Sequence, residues 1–378
     1  MAFVALFNPV KVNVAANRWL CVFFASAGCA VCNVVLYNAS LQGAYPRFIG
    51  FNELSRFAMA PALYLAITQF TTPGARFKPV HYLHFVPFGL FFLYMVPVLY
   101  FPGHHVIDRL FLLSPKINFM MAGMMRWSVR LQMVIYWLLA LHDLYKHQKH
   151  IRLIISDTAS ANLNWLKYLL LSVGGMLGLF YLGAVFNLDI NPVYIDFGYL
   201  LGALTIFYYA LAQKEVFPFE VAALQAINDV INGPEIKVKL VKPRVSDEYA
   251  TNLRIKLEQL MQVEKLYLDN ELSLPQLAES LEMSIHDLSF ILNERIGLNF
   301  FQFVNTYRVE EAKQIMLSDK HKHLNILGIA YSAGFSSKTT FNTVFKSQTG
   351  LSPSAFMRQH KICKEIVQTT SAAQLTDN

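Results

Sequence analysis

The chain is short of charge. Asp, Glu, Lys and Arg make up 15% of its 378 residues, while hydrophobic residues make up 54%. That balance is greasier than an ordinary globular domain shows. Cysteine is scarce as well. Four cysteines are too few for a disulfide scaffold. The C-x-x-C of Cys29 and Cys32 lies in an apolar run without a second ligand pair, and reads as apolar helix filler. No metal motif, phosphate loop or nucleophile constellation stands out, and the histidines fall mostly in loops. These absences assign no catalytic residue, no metal site and no cofactor, and argue against an enzyme. The apolar stretches also show no internal repeat of the kind a transporter usually carries, and apart from charges at their ends no acid or base sits near a midplane.

What charge there is divides unevenly. Residues 1–213 hold 14 Lys/Arg but only six acids, Glu53, Asp108, Asp143, Asp157, Asp189 and Asp196. Residues 214–378 hold 18 Lys/Arg and 19 Asp/Glu. Six apolar stretches in the first part, near 19–39, 50–70, 81–101, 120–142, 166–187 and 193–213, are about long enough to span a bilayer. Lys11 and Arg18, Arg76 and Lys78, Lys146, Lys149, Arg152 and Lys167, and Lys214 fall in alternate loops. The positive-inside rule then places both chain ends in the cytoplasm of a bacterial-type inner membrane. The expectation is a polytopic helix bundle of about six spans over 1–213, with the lipid bilayer as a partner.

Ionisable residues within such spans mark either a ligand pocket or structural ion pairs. Glu53, Arg56, Arg126, Arg130 and Asp196 all fall toward the outer side. They are the candidate pocket, with the two arginines of the fourth stretch suited to an anionic group. Gly174 with Gly178, and Gly198 with Gly202, form two G-x-x-x-G pairs, which read as close packing between neighbouring helices or as a homodimer seam.

Residues 214–247 read as a linker. A short helix is expected over 220–232, stopped by Gly233-Pro234, and residues 364–378 read as a disordered tail. From Tyr249 the pattern becomes helical. Leu253, Leu257, Leu260 and Met261 mark one helix face. Ser273, with Pro275 in the first turn, opens a short helix. Leu281-Glu282-Met283 turns, and Ser284 caps a second helix running to about Arg295. Residues 299–317 form one longer helix of roughly 27 Å. The pattern then repeats. Ile326, Ile329 and Ala330 form an inner face, Gly334 supplies a turn with positive φ, and Ser336 or Ser337 caps a helix anchored by Phe341 and Phe345.

The run Ile329-Ala330, Gly334-Phe335-Ser336-Ser337, Phe341, Phe345-Lys346 and Gly350-Leu351-Ser352-Pro353, with Tyr307-Arg308-Val309-Glu310-Glu311-Ala312 before it, resembles the DNA-binding domain of the AraC/XylS family of transcription regulators. The resemblance covers 249–362. More weakly, the first part resembles the sensor region of membrane-embedded members, which commonly have one further span. The resemblance implies a seven-helix all-α domain, expected over 248–363, with two helix-turn-helix units whose reading helices enter successive major grooves roughly 34 Å apart. By position it assigns Ser284, Ile285, His286 and Ser289 to the first reading helix. Ser336, Ser337, Lys338, Thr339, Thr340 and Asn342 fall on the second, and Lys346 and Arg358 grip phosphate. Two departures stand out. Phe290 occupies a position that is often basic, and Asp287 would repel phosphate. Residues 313–364 hold eight Lys/Arg with only Asp319 acidic, whereas 247–312 are net acidic, so most affinity is expected from the second unit.

Together these readings describe a membrane-bound transcription regulator coupling an unknown signal to promoter binding. Double-stranded DNA, the bilayer, RNA polymerase and a second copy of the chain are its expected partners. A transporter or membrane enzyme with a regulatory tail is the alternative.

Overall fold

The computed structural model describes residues 1–6, 13–39, 46–72, 78–100, 115–158, 161–186, 192–214, 216–232, 247–318 and 323–360. The described residues are almost wholly helical, and the chain divides into two units. One comprises Met1–His147 and Leu163–Pro218, the other Gln148–Asn162 and Phe219–Asn378.

In the first unit, α1 (Ala2–Leu6) packs on α2 (Val14–Asn38), and α2 packs along α3 (Pro46–Thr71). A tight 3-10 turn, Pro79–Phe85, leads into α4 (Val86–Tyr100), which also contacts α3. Then come α5 (Pro115–His150), α6 (Asn164–Val185) and α7 (Pro192–Ala212). Pro61 lies inside α3. It has no N–H to give to the carbonyl four residues back, that of Phe57. The Gln132 side chain of α5 supplies the missing donor, Nε2 to Phe57 O at 3.1 Å, as a buried carbonyl requires. The Trp137 indole donates to Leu170 O at 2.7 Å and lies against Gly174, where any Cβ would collide with the ring. Gly198 faces the Met176 sulfur. Of the four paired glycines, these two therefore make close approaches, one to an aromatic ring of α5 and one to α6. Cys29 and Cys32 are free thiols on α2.

The expected six-span bundle is corrected by this unit. Among the described residues two helices are long and apolar enough to cross a membrane, Val14–Cys32 and Asn164–Gly183. Polar residues interrupt two of the others. Arg47, Glu53, Arg56 and Gln69 interrupt α3, and Lys116, Arg126 and Arg130 interrupt α5. The polytopic, membrane-embedded type of regulator, its multi-pass place in an inner membrane and the bilayer as partner lose the observation that supported them. So do the signal-coupling role and the transporter alternative built on the same spans.

The second unit begins with α8 (Val221–Asn232), which packs on α11, the helix introduced below. The rest of the expected linker, over 233–246, and the tail over 364–378 lie outside the described residues. After α9 (Asp247–Gln262) comes a 3-10 turn, Leu266–Leu268, then α10 (Leu274–Ser280) and α11 (Ile285–Phe290). The helix ending α11 was expected to continue to about Arg295 as one regular element. It instead widens into a π-type turn over Ile291–Ile296, closed by Leu298 N to Leu292 O at 3.0 Å, with Gly297 at φ 77°. Then follow α12 (Phe300–Leu317), α13 (Ile326–Ser332), α14 (Lys338–Thr349) and a final helix, α15, over 353–360.

Two apolar cores lie among the described residues of this unit, and α12 serves both. Phe300, Phe303 and Val304 pack with Leu257, Met261, Leu274, Leu277, Leu288 and Leu292. Val309, Ala312 and Ile315 pack with Ile329, Ala330, Phe335, Phe341 and Phe345. Burying a large apolar side chain contributes about 1.5–3 kcal/mol, so each core holds its helix pair on its own half of α12.

Candidate nucleic-acid interface

Each pair of short helices is punctuated by its own side chains. At the first, Ser273 N–H and its hydroxyl both donate to Gln276 Oε1, at 2.8 and 2.7 Å, with Pro275 in the first turn where its missing N–H costs nothing. Glu282 takes the left-handed turn at φ 56°. Ser284 Oγ accepts from Asp287 N at 3.1 Å and donates to the Asp287 carboxylate at 2.7 Å. That bond gives Asp287 a local role: it closes the N-cap of α11. Its negative charge still sits in the first turn of a reading helix.

In the second pair, Asn325 Oδ1 caps α13 by accepting from Gly328 N at 2.8 Å. Gly334 turns at φ 87°, and a Cβ there would meet the Tyr267 carbonyl oxygen and Leu268 Cα. Only glycine fits both the backbone angle and the space. Of the two serines expected to cap α14, Ser337 does so, its Oγ accepting from Thr340 N at 3.1 Å. Gly350 closes the helix at φ 77°.

The assigned reading residues divide by exposure. His286, Ser336, Lys338, Thr339, Lys346 and Arg358 are exposed, as is Ser284. Asn342 and Ser289 are half-buried, and Ser289 accepts from Asn293 Nδ2 at 2.8 Å through its carbonyl. Ile285 packs against the first core. The Thr340 hydroxyl accepts from the Ser337 hydroxyl at 2.9 Å. Phe290 is 42% exposed, so α11 presents an aromatic ring at the position where the resemblance leads one to expect a basic residue. The second reading helix exposes Lys338 at its start and Lys346 in its last turn.

The candidate pocket of the first unit is less defined. Arg56 is half-buried on α3, and the Arg130 guanidinium lies 5.0 Å from the Trp127 ring centroid. Leu54, Phe57 and Val129, beside them in sequence, share one apolar cluster. The side chains of Glu53, Arg126 and Asp196 lie outside the described residues. No group of three or more His, Cys, Asp or Glu fit to hold a metal occurs among the described residues.

Sequence reading alone did not find what holds the two helix pairs together. Arg308 of α12 is completely buried. Its Nε donates to Tyr267 O at 2.7 Å, and Nη2 donates to Asp269 O at 2.7 Å and Ser156 Oγ at 2.9 Å. Burial pulls this guanidinium down to about 10, opposed by the Asp157 and Asp269 carboxylates. Beside it, Glu311 accepts from Lys265 Nζ at 2.9 Å and from the Tyr267 hydroxyl at 2.8 Å. Burial, then the bond to Glu311, pushes the Tyr267 phenol up. The available signal was an asparagine and an arginine, Asn305 and Arg308, within the otherwise apolar buried face of α12.

A helix-turn-helix domain family matches residues 277–359. An uncharacterized HTH-type transcriptional regulator of Staphylococcus aureus strain COL is 34% identical over 101 residues, which is 27% of this chain and 13% of that protein. The HTH-type transcriptional activator RhaS of Salmonella schwarzengrund strain CVM19633 is 29% identical over 106 residues, 28% of this chain and 37% of RhaS. RhaS of Salmonella newport strain SL254 matches over the same length. The chain thus spans a small part of the staphylococcal regulator and about a third of RhaS. No solved structure matches the chain. The matching relatives are transcription regulators, which are not enzymes.

Proposed function

We propose that this chain is a sequence-specific, double-stranded DNA-binding transcription regulator. The observation that carries the reading is the pair of helix-turn-helix units built on the two halves of α12, each with a capped reading helix exposing polar side chains in its first turn. Similarity to HTH-type regulators over the same residues supports it. In this reading α11 and α14 enter successive major grooves. Lys338 donates to base edges, and Thr339 meets a thymine methyl or donates its hydroxyl. Lys346 and Arg358 contact phosphates and fix register. The second unit carries most of the affinity, because Phe290 and Asp287 weaken the first.

The test is selection of duplexes from a random pool by the full chain, with a Lys338→Ala/Thr339→Ala variant as control. A defined sequence, absent with the variant, is the expected result. Equal recovery of unrelated sequences by both proteins would overturn the reading. On the selected duplex, Lys346→Ala should weaken binding uniformly and reduce the slope of log K against log[salt] by about 0.9, the value of one phosphate contact.

A further inference from the structure

The segment Gln148–Asn162 belongs to the second unit, although it precedes the rest of that unit by more than fifty residues. It is docked as a strap, with Ile151, Ile154, Ser156, Asp157 and Thr158 all buried. Its contacts reach three parts of the DNA-reading unit in succession.

The first is the edge of the first helix pair. Ile155 forms an antiparallel bridge with Ser273. Leu274 N donates to Ile154 O at 2.7 Å, and Ser156 donates to Leu272 O through its N–H at 3.3 Å and its hydroxyl at 2.6 Å. These bonds fix the residue that caps α10. The second is the joining helix. Asn305 Nδ2 donates to Ser156 O at 3.1 Å, Arg308 Nη1 to the same oxygen at 3.3 Å, and Arg308 Nη2 to Ser156 Oγ at 2.9 Å. The Arg152 guanidinium lies 5.7 Å from the Phe301 ring centroid. The third is the second helix pair. Ser336 N–H, immediately before the N-cap of α14, donates to Asp157 Oδ2 at 3.0 Å.

Two adjacent residues thus hold both reading units against the same helix. Ser156 ties the start of α10 to α12, and Asp157 ties the start of α14 to the strap. The bond from a backbone N–H to a carboxylate is charge-assisted, roughly twice as strong as a neutral one, and its acceptor Asp157 is buried. A carboxylate is also the favoured charge at a helix N-terminus. A bipartite site is read well only when both reading helices hold one separation and one relative angle, because half-site spacing mirrors protein geometry.

We infer that Ser156 and Asp157 are positioning residues for DNA recognition: the strap fixes the relative pose of the two reading helices and thereby sets the half-site spacing the chain selects. This rests on the DNA-reading proposal above. Neither residue need touch DNA.

The experiment uses the full chain and the duplex selected with it. Affinities are measured for that duplex, for versions with one or two base pairs added or removed between half-sites, and for a version with the first half-site scrambled. Asp157→Ala should bind the intact duplex about tenfold more weakly, the effect of one lost hydrogen bond to a charged group. Its preference among spacings should flatten, and its affinity for the duplex with only the second half-site should be unchanged. Asp157→Asn keeps a carbonyl oxygen and should restore much of the spacing preference. Hydrogen exchange at the Ser336 amide reports the contact itself, protected in wild type and in Asp157→Asn and exposed in Asp157→Ala. If Asp157→Ala fails to fold, Ser156→Ala takes its place with the same expectation for spacing. Unchanged spacing preference alongside a fast-exchanging Ser336 amide would overturn the positioning role and leave DNA reading standing. Failure of the wild-type chain to select any sequence would overturn DNA reading, and this inference with it.

Discussion

Arg308 donates its Nε–H to the backbone carbonyl of Tyr267 at 2.7 Å, and its guanidinium carbon lies 5.8 Å from the Phe335 ring centroid. One side chain therefore touches the loop entering the first helix pair and the turn within the second.

Replacing Arg308 with Met would leave the carbonyls of Tyr267 and Asp269 and the Ser156 hydroxyl without their donor inside the unit. Each unsatisfied buried polar group costs about 1–3 kcal/mol, and methionine fills only part of the volume. The expected result is a loss of about 3 kcal/mol or more in the second unit. It would be read as faster hydrogen exchange across α12 and α13 and a lower midpoint in the thermal transition assigned to those helices. Exchange matching wild type would show that the guanidinium bonds are not what holds these elements.

Tyr267→Phe removes the phenol that donates to Glu311. At neutral pH the loss should be about 1 kcal/mol, the usual net value of such a bond. The phenol is pushed up in the folded chain, so the folded state keeps its proton at pH values where the unfolded state has released it. The stabilisation is then fully present below pH 10 and is lost as pH rises beyond it. The stability gap between wild type and Tyr267→Phe should accordingly shrink above pH 10. A gap that is constant from pH 8 to pH 11 would contradict the assignment.

Gly334→Ala places a methyl group against the Tyr267 carbonyl and forces alanine to φ 87°. The backbone strain alone is about 1–3 kcal/mol, and the collision adds to it. The second helix pair should lose protection from exchange while α10 and α11 keep most of theirs. Gly297→Ala has a similar positive φ, 77°, but open space around it, so it should show the strain cost alone.

The second unit was legible where its chemistry is local. Ser284, Asn299 and Ser337 announce helix starts because their short oxygens accept the free N–H groups of a first turn, and the structure shows each making that bond. Gly334 announces a turn for a steric reason that holds in any fold. The strap was not legible, because nothing in Ser156-Asp157 marks a partner 149 residues away at Asn305. The first unit misled for a related reason. Apolar content over about 20 residues fits a bilayer span and a buried helix equally well. What separates them is where residues such as Arg56, Gln132 and Arg130 interrupt the run, and which carbonyl a proline such as Pro61 leaves bare.

Chain order gives the strap a further consequence during synthesis. Ser156 leaves the ribosome well before Asn305, the first residue of α12 to bond it. At about 5–20 residues per second, that interval is on the order of 10–30 s. For that time the exposed Ile151 and Ile154 side chains have no α12 to pack on. Assembly of the second unit is therefore timed by its last-made part, with an early segment waiting for a late one.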